Sequence, residues 1–140
     1  MKYDDIVDFH GHSCPGTAIG FKIGEIVIEK FGKSKDEEIV AIVENNSCSI
    51  DAIQFMTGCT FGKGNLIFKD YGKHVYTFID RKTGESIRIS LDKSVQELME
   101  KFKAKREELP EKILEMNPYE IFTIKDVKVK PQKKQQSIIH

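Results

Sequence analysis

Three glycines, Gly16, Gly20 and Gly24, recur at every fourth position of the segment PGTAIGFKIGEIVIEKFG (15–32). Residues four apart share one face of a helix, so the spacing predicts a helix carrying a bare stripe. Another backbone must lie against that stripe, either from within the fold or from a second subunit. Pro15 suits the first helical position and Gly32 the C-terminal cap. Ala18, Ile19, Phe21, Ile23, Ile26, Val27 and Ile28 spread beyond one narrow strip, so most of this helix is expected to be buried.

The remaining patterns fit around it. EEIVAIVEN (37–45) is a short, almost continuous apolar run rich in β-branched residues, which predicts an interior strand. SIDAIQFMTG (49–58) predicts a short helix. NLIFKD, KHVYTFID and ESIRIS read as three strands separated by turn signals at Tyr71-Gly72 and Lys82-Thr83-Gly84, and an antiparallel meander is expected. Ser94 and Glu97 form a capping box for a helix over 94–109, with Val95, Leu98, Met99 and Phe102 on its apolar side. Pro110 ends or restarts that helix, and EIFTIKDVKVK alternates like a last strand. The expected fold class is α+β: an antiparallel sheet packed with helices in a single core domain, residues 1–125, followed by a polar, basic tail, 126–140.

The 140 residues suffice for one hydrophobic core. Lys plus Arg and Asp plus Glu balance at 22 each, leaving no net field to favour nucleic acid or acidic membranes as partners. No apolar run reaches the roughly 18 residues of a bilayer span, and MKYDDIVDF lacks the basic and apolar regions of a signal peptide. A cytoplasmic location is expected. With three cysteines and no CxxC pair, a disulfide framework is disfavoured and metal or thiolate chemistry becomes the question.

That chemistry concentrates in DFHGHSCPG (8–16). His10, His12 and Cys14 alternate, so an extended segment would set its outer Cα atoms ~13 Å apart, too far for one ion. The segment has to curl, and Gly11 permits it. Imidazole and thiolate together suit zinc or iron. Cys14, before Pro15, occupies a helix N-cap, where free N–H groups favour a thiolate. NNSCSIDAI places Cys48 at the start of the next helix, with Asp51 a turn further on, and Cys59 follows that helix. Taken singly, Cys48 and Cys59 fit small buried core residues equally well. His74 reads as a packed or surface histidine and His140 as free of any role. GCTFGKGN is not a P-loop: the spacing is one residue short, Gly64 stands where a Ser or Thr is required, and the helix precedes the loop. Backbone N–H groups around Gly62, together with Lys63, still suit either an anionic ligand or a plain tight connection.

FHGHSCPG, SCSIDAIQ, TGCTFGKGNL and DYGKH, in this order, resemble the FmdE family, named for one component of formylmethanofuran dehydrogenase. The resemblance covers about residues 5–90. It implies an α+β core, a homodimer, and a metal-binding cleft drawing on His10, His12, Cys14, Cys48, Asp51, Cys59, Lys63 and Asn65. In this reading His10, His12, Cys14 and Cys59 hold a zinc or iron ion. Cys48, Asp51 and Lys63 line the cleft as candidates for chemistry, and Gly62 and Asn65 as candidates for cofactor binding. The catalytic molybdenum or tungsten pterin of the dehydrogenase resides in its other components, so the chain is not expected to be that enzyme by itself. Many members carry a C-terminal zinc finger with paired cysteines; no cysteine follows Cys59, so the core domain alone is expected. Three functions fit: a metal-binding protein of one-carbon (methanogenesis-type) or anaerobic redox metabolism; a non-catalytic carrier or subunit of a larger redox complex; and a metal-free thiol enzyme using Cys14 or Cys48.

Overall fold

A computed structural model describes residues 2–129. The helix of the glycine stripe is α2 (Pro15–Phe31), preceded by a short α1 (Tyr3–His10). β1 (Ile39–Val43), α3 (Ser49–Thr57) and β2 (Leu66–Phe68) follow as a strand–helix–strand unit, in which β2 returns parallel to β1. β3 (Val75–Asp80) and β4 (Ser86–Leu91) form an antiparallel hairpin. A helical excursion of α4 (Lys93–Lys101), a 3-10 segment (Lys103–Glu108), α5 (Leu109–Glu115) and α6 (Pro118–Ile121) leads to β5 (Phe122–Asp126). The sheet runs β2-β1-β3-β4-β5.

Period-two alternation sets which side chains meet the helices. Ile39, Ala41 and Val43 of β1 share a face with Tyr76 and Phe78 of β3, paired in register, and with Ile87, Ile89 and Leu91 of β4. Against that face pack Ile19, Ile23 and Val27 of α2, Ile53 of α3 and Ile113 of α5. Val40, Ile42 and Ile79 point the other way and form a second cluster with Ile67 and Val129. Every residue of β1 is therefore buried, as its unbroken apolar run requires.

The sheet is mixed rather than antiparallel throughout, and the expected three-strand meander does not form. Its first member, β2, pairs with β1, while β3 takes the other side of β1. Alternation identifies strands but not their neighbours, and here the α3 crossover returns the chain in the direction of β1. The α4 cap also differs. Asp92, not Ser94, stands at the N-cap, and its carboxylate accepts from the Ser94 N–H at 3.0 Å. The helix breaks at Phe102, and α5 restarts with Pro110 in its first turn. The short helices α1 and α6 have no counterpart in the sequence reading. The tail beyond 129, with His140, lies outside the described residues. No helix among the described residues is long and apolar enough to cross a membrane.

The glycine stripe is filled from within. A methyl on Gly16 would lie 2.9 Å from the Cys48 Cβ, one on Gly24 2.6 Å from the Met56 sulfur, and one on Gly20 would strike the Ser49 carbonyl. The stripe seats α3 on α2 and brings Cys48 to the start of α2.

Candidate metal centre

Three chain segments meet here. α1 ends at His10, and Gly11, at φ +107°, turns the chain out of the helix while its N–H donates to the Val7 carbonyl. That left-handed turn is the curl the HGHSC spacing demands, and it places His10 on a helix rather than in a loop. Cys14 is the extended N-cap of α2. Thr17 fixes it, accepting from the Cys14 N–H at 3.0 Å and donating to its carbonyl at 2.8 Å. The Tyr3 hydroxyl bonds Ser13 and Thr17 at 2.7 and 2.8 Å, tying α1 to this loop.

Cys48 enters from α3. Beneath its loop, Tyr76 is wholly buried, and its hydroxyl bonds Ser49 at 2.8 Å and accepts from the Asn45 amide at 3.1 Å. Asn45 also accepts from the Ser47 N–H and hydroxyl. These bonds fix the turn that presents Cys48. The polar pattern ENNSCS signals such a loop, but nothing in the sequence ties it to Tyr76.

The structure brings His10, His12, Cys14 and Cys48 together: one ligand atom from each lies within 4.8 Å of all the others. Donors on one tetrahedral zinc stand roughly 3.3–3.8 Å apart, given bonds of about 2.0–2.3 Å, so small side-chain rotations close the set. His10 Nδ1 lies 2.7 Å from an Asp51 carboxylate oxygen, while its Nε2 is buried and has no hydrogen-bond partner. With Nδ1–H donating to Asp51, Nε2 carries the lone pair that is free for an ion. This is the carboxylate–histidine arrangement that orients imidazole toward a metal. The orphaned nitrogen and the two-imidazole, two-thiol donor set both fit zinc or iron.

Burial pushes the Cys48 thiol up from its ordinary pKa, and the neighbouring Cys14 adds to the shift. Two adjacent thiols oppose each other's ionisation, and a bound cation reverses that penalty.

Cys59 is not brought to this group. It lies wholly buried in the main core, its thiol 3.4 Å from the Ile39 carbonyl, and burial pushes its pKa up to about 11. A protonated, desolvated thiol packed beside the start of β1 is a core residue. Cys48, read from the sequence as a lining residue, stands among the donors instead, and Asp51 stands behind His10. Asn65 is also built into the core: its side-chain oxygen accepts from the Thr60 N–H, and its amide donates to the Asp36, Ile39 and Gly58 carbonyls. Gly62 is exposed. Lys63 stands near Gly58, at the C-terminal end of α3, with its amine 3.4 Å from the position of a Cβ there. His74 is half-buried, and desolvation lowers its pKa.

A cavity of about 420 Å³ adjoins the group, lined by His10, Cys48 and Asp51 at one end.

Residues 9–134 match the model of a family described as FmdE, molybdenum formylmethanofuran dehydrogenase operon. The fold is similar to the crystal structure of a tungsten formylmethanofuran dehydrogenase FmdE-like protein from Syntrophus aciditrophicus. The TM-score is 0.72 with 32% identity, over 94% of this chain and 74% of that one. A probable S-adenosyl-L-methionine-binding protein of Archaeoglobus fulgidus is 42% identical over 88 residues. That match takes in 59% of this chain but spans only 24% of the Archaeoglobus protein.

Proposed function

This chain belongs to the FmdE family, and on that premise we propose that it binds one zinc or iron ion through His10, His12, Cys14 and Cys48, serving one-carbon or anaerobic redox metabolism. The observation that carries the reading is the buried, unpartnered His10 Nε2 in a group whose donor atoms lie within 4.8 Å of one another, with Asp51 bonded at Nδ1. A bound ion would supply Lewis acidity there. Around it, Asp51 holds the Nδ1 proton of His10, and Cys14 stands at the N-cap of α2. His12 is exposed and carried on the 11–13 turn, so it is the donor most easily released. Its release leaves three protein ligands and an open position, the arrangement that supports chemistry rather than structure alone.

Elemental mass spectrometry on untagged protein purified without oxygen tests this. About one ion per chain is expected. Asp51→Asn should keep that stoichiometry at saturating metal while weakening affinity about 10- to 100-fold, measured by chelator competition. Wild-type protein that holds no ion, even after reconstitution, would sink the proposal.

A further inference from the structure

The cavity beside the His/Cys group has a composition that selects its ligand. It opens at the carboxyl ends of the two parallel strands, with Val43 closing β1 and Phe68 closing β2, and the α3 N-terminus forms its side. Crevices outside the carboxyl ends of parallel strands are where open α/β sheets seat small molecules. Its volume falls within the roughly 300–1,000 Å³ of small-molecule sites.

The walls divide by chemistry. Val43, Ile50 and Leu66 make an apolar side, and the rings of Phe61 and Phe68 flank it, 72% and 39% exposed. Exposed aromatic rings at a cavity mouth are platforms for a flat ring system. Two amides face the same space with bonding capacity to spare. Gln54 uses only its oxygen, accepting from the Phe61 N–H at 3.0 Å, and Asn46 makes no hydrogen bond among the described residues. No lysine or arginine lines the cavity, and its one carboxylate is Asp51. The two thiolates of Cys14 and Cys48 cancel the charge of a divalent ion held at that end, and Asp51 already occupies the first turn of α3. A phosphate-bearing ligand would therefore enter beside a carboxylate with no net positive charge to offset it, which is unfavourable in a partly desolvated site.

We infer that this cavity binds a flat heteroaromatic compound that is uncharged or cationic, stacked on Phe61 and bonded at its edge by Asn46 and Gln54, and that it rejects phosphorylated analogues. The inference rests on the metal-centre reading for the end at His10 and Cys48 and extends it to a ligand class. The Lys63 amine of the glycine-rich loop lies near Gly58, and Lys63 does not line this space.

Adenosine and adenosine 5′-monophosphate share one ring and differ by a phosphate, so they make the direct probes. Titration calorimetry is run with both on zinc-reconstituted and on metal-free full-length protein, with metal content measured on the same samples. Adenosine is expected to bind at least about tenfold more tightly than the monophosphate in the reconstituted protein. Phe61→Ala should weaken adenosine roughly 5- to 150-fold, the range for loss of one stacking platform, and leave metal content unchanged. Phe68→Ala should weaken it as well. Equal or tighter binding of the monophosphate would overturn the charge argument. Failure of both compounds to bind up to millimolar concentration would overturn the ligand class. Unchanged adenosine affinity in Phe61→Ala, or a change in sedimentation in its place, would put a different occupant on these rings and overturn the site. A protein that holds no zinc yet still prefers adenosine would refute the metal centre and leave this inference standing.

Discussion

Cys48→Ser is expected to leave the protein with no stoichiometric metal, and Cys59→Ser to leave the ion in place. The two substitutions are chemically identical and sit eleven positions apart, so their difference isolates geometry. The Cys48 sulfur lies within 4.8 Å of the His10, His12 and Cys14 donor atoms, and serine there removes one of two thiolates. A hydroxyl is a poor replacement because it does not ionise at neutral pH, and metal affinity requires deprotonated ligands. Cys14→Ser should match Cys48→Ser. Cys59 donates into the core at the Ile39 carbonyl, with its thiol held protonated by burial. Serine there should cost stability through packing and keep the ion. Retained metal in Cys48→Ser with loss in Cys59→Ser, read by elemental mass spectrometry on folded protein, would restore the ligand set implied by the family resemblance and refute the geometry.

Gly20→Val is expected to give the largest loss of stability of any single substitution along the glycine stripe, at least ~2 kcal/mol by denaturant titration of the metal-free protein. The new Cβ would meet the Ser49 carbonyl, the Ala52 methyl at 2.7 Å and the Ser49 Cα at 2.9 Å. Two of those three atoms are backbone, so relief requires α3 itself to move. Gly24→Ala should cost less, because the atom it meets first is the flexible Met56 thioether. Gly62→Ala, with open space around it, should stay within about 0.5 kcal/mol of wild type. Displacing the first turn of α3 also carries Cys48 away from Cys14, so Gly20→Val should weaken metal binding although it touches no ligand. Full metal affinity with full stability would show that the two helices are not seated by this stripe.

The sequence made α2, β1 and α3 legible because each has a period or a run that only one local structure satisfies. The glycine spacing, the unbroken IVAIV and the short run SIDAIQFMTG are local facts. Sheet order was not legible, because NLIFKD pairs with β1 through a parallel register that no local pattern encodes. Three of the four candidate donors were legible: HGHSC announces His10, His12 and Cys14 by clustering. The choice between Cys48 and Cys59 depends on which end of α3 faces the start of α2. That is decided by Gly16 against Cys48 and by Asn65 tying the opposite end to β1. α1 was missed because eight residues with one buried side chain, Ile6, carry too little periodicity to register.

That sparse burial has a consequence for how the centre is filled. A helix of eight residues has little stability of its own. α1 is held by Ile6 against Ala52 and Met56, by the Tyr3 hydroxyl and its ring against Phe21, by the His10–Asp51 contact, and by a half-exposed Phe9 whose ring meets Phe55. Of the four candidate donors, His10 and His12 lie on or next to this short helix, while Cys14 and Cys48 stand at the N-caps of α2 and α3. If the arm opens locally to admit an ion, its histidines are expected to close last over the two sulfurs. Amide hydrogen exchange reads this directly: protection at Val7 to His10 should be the lowest of any helix around the centre in metal-free protein and should rise when the ion binds, with α2 unchanged.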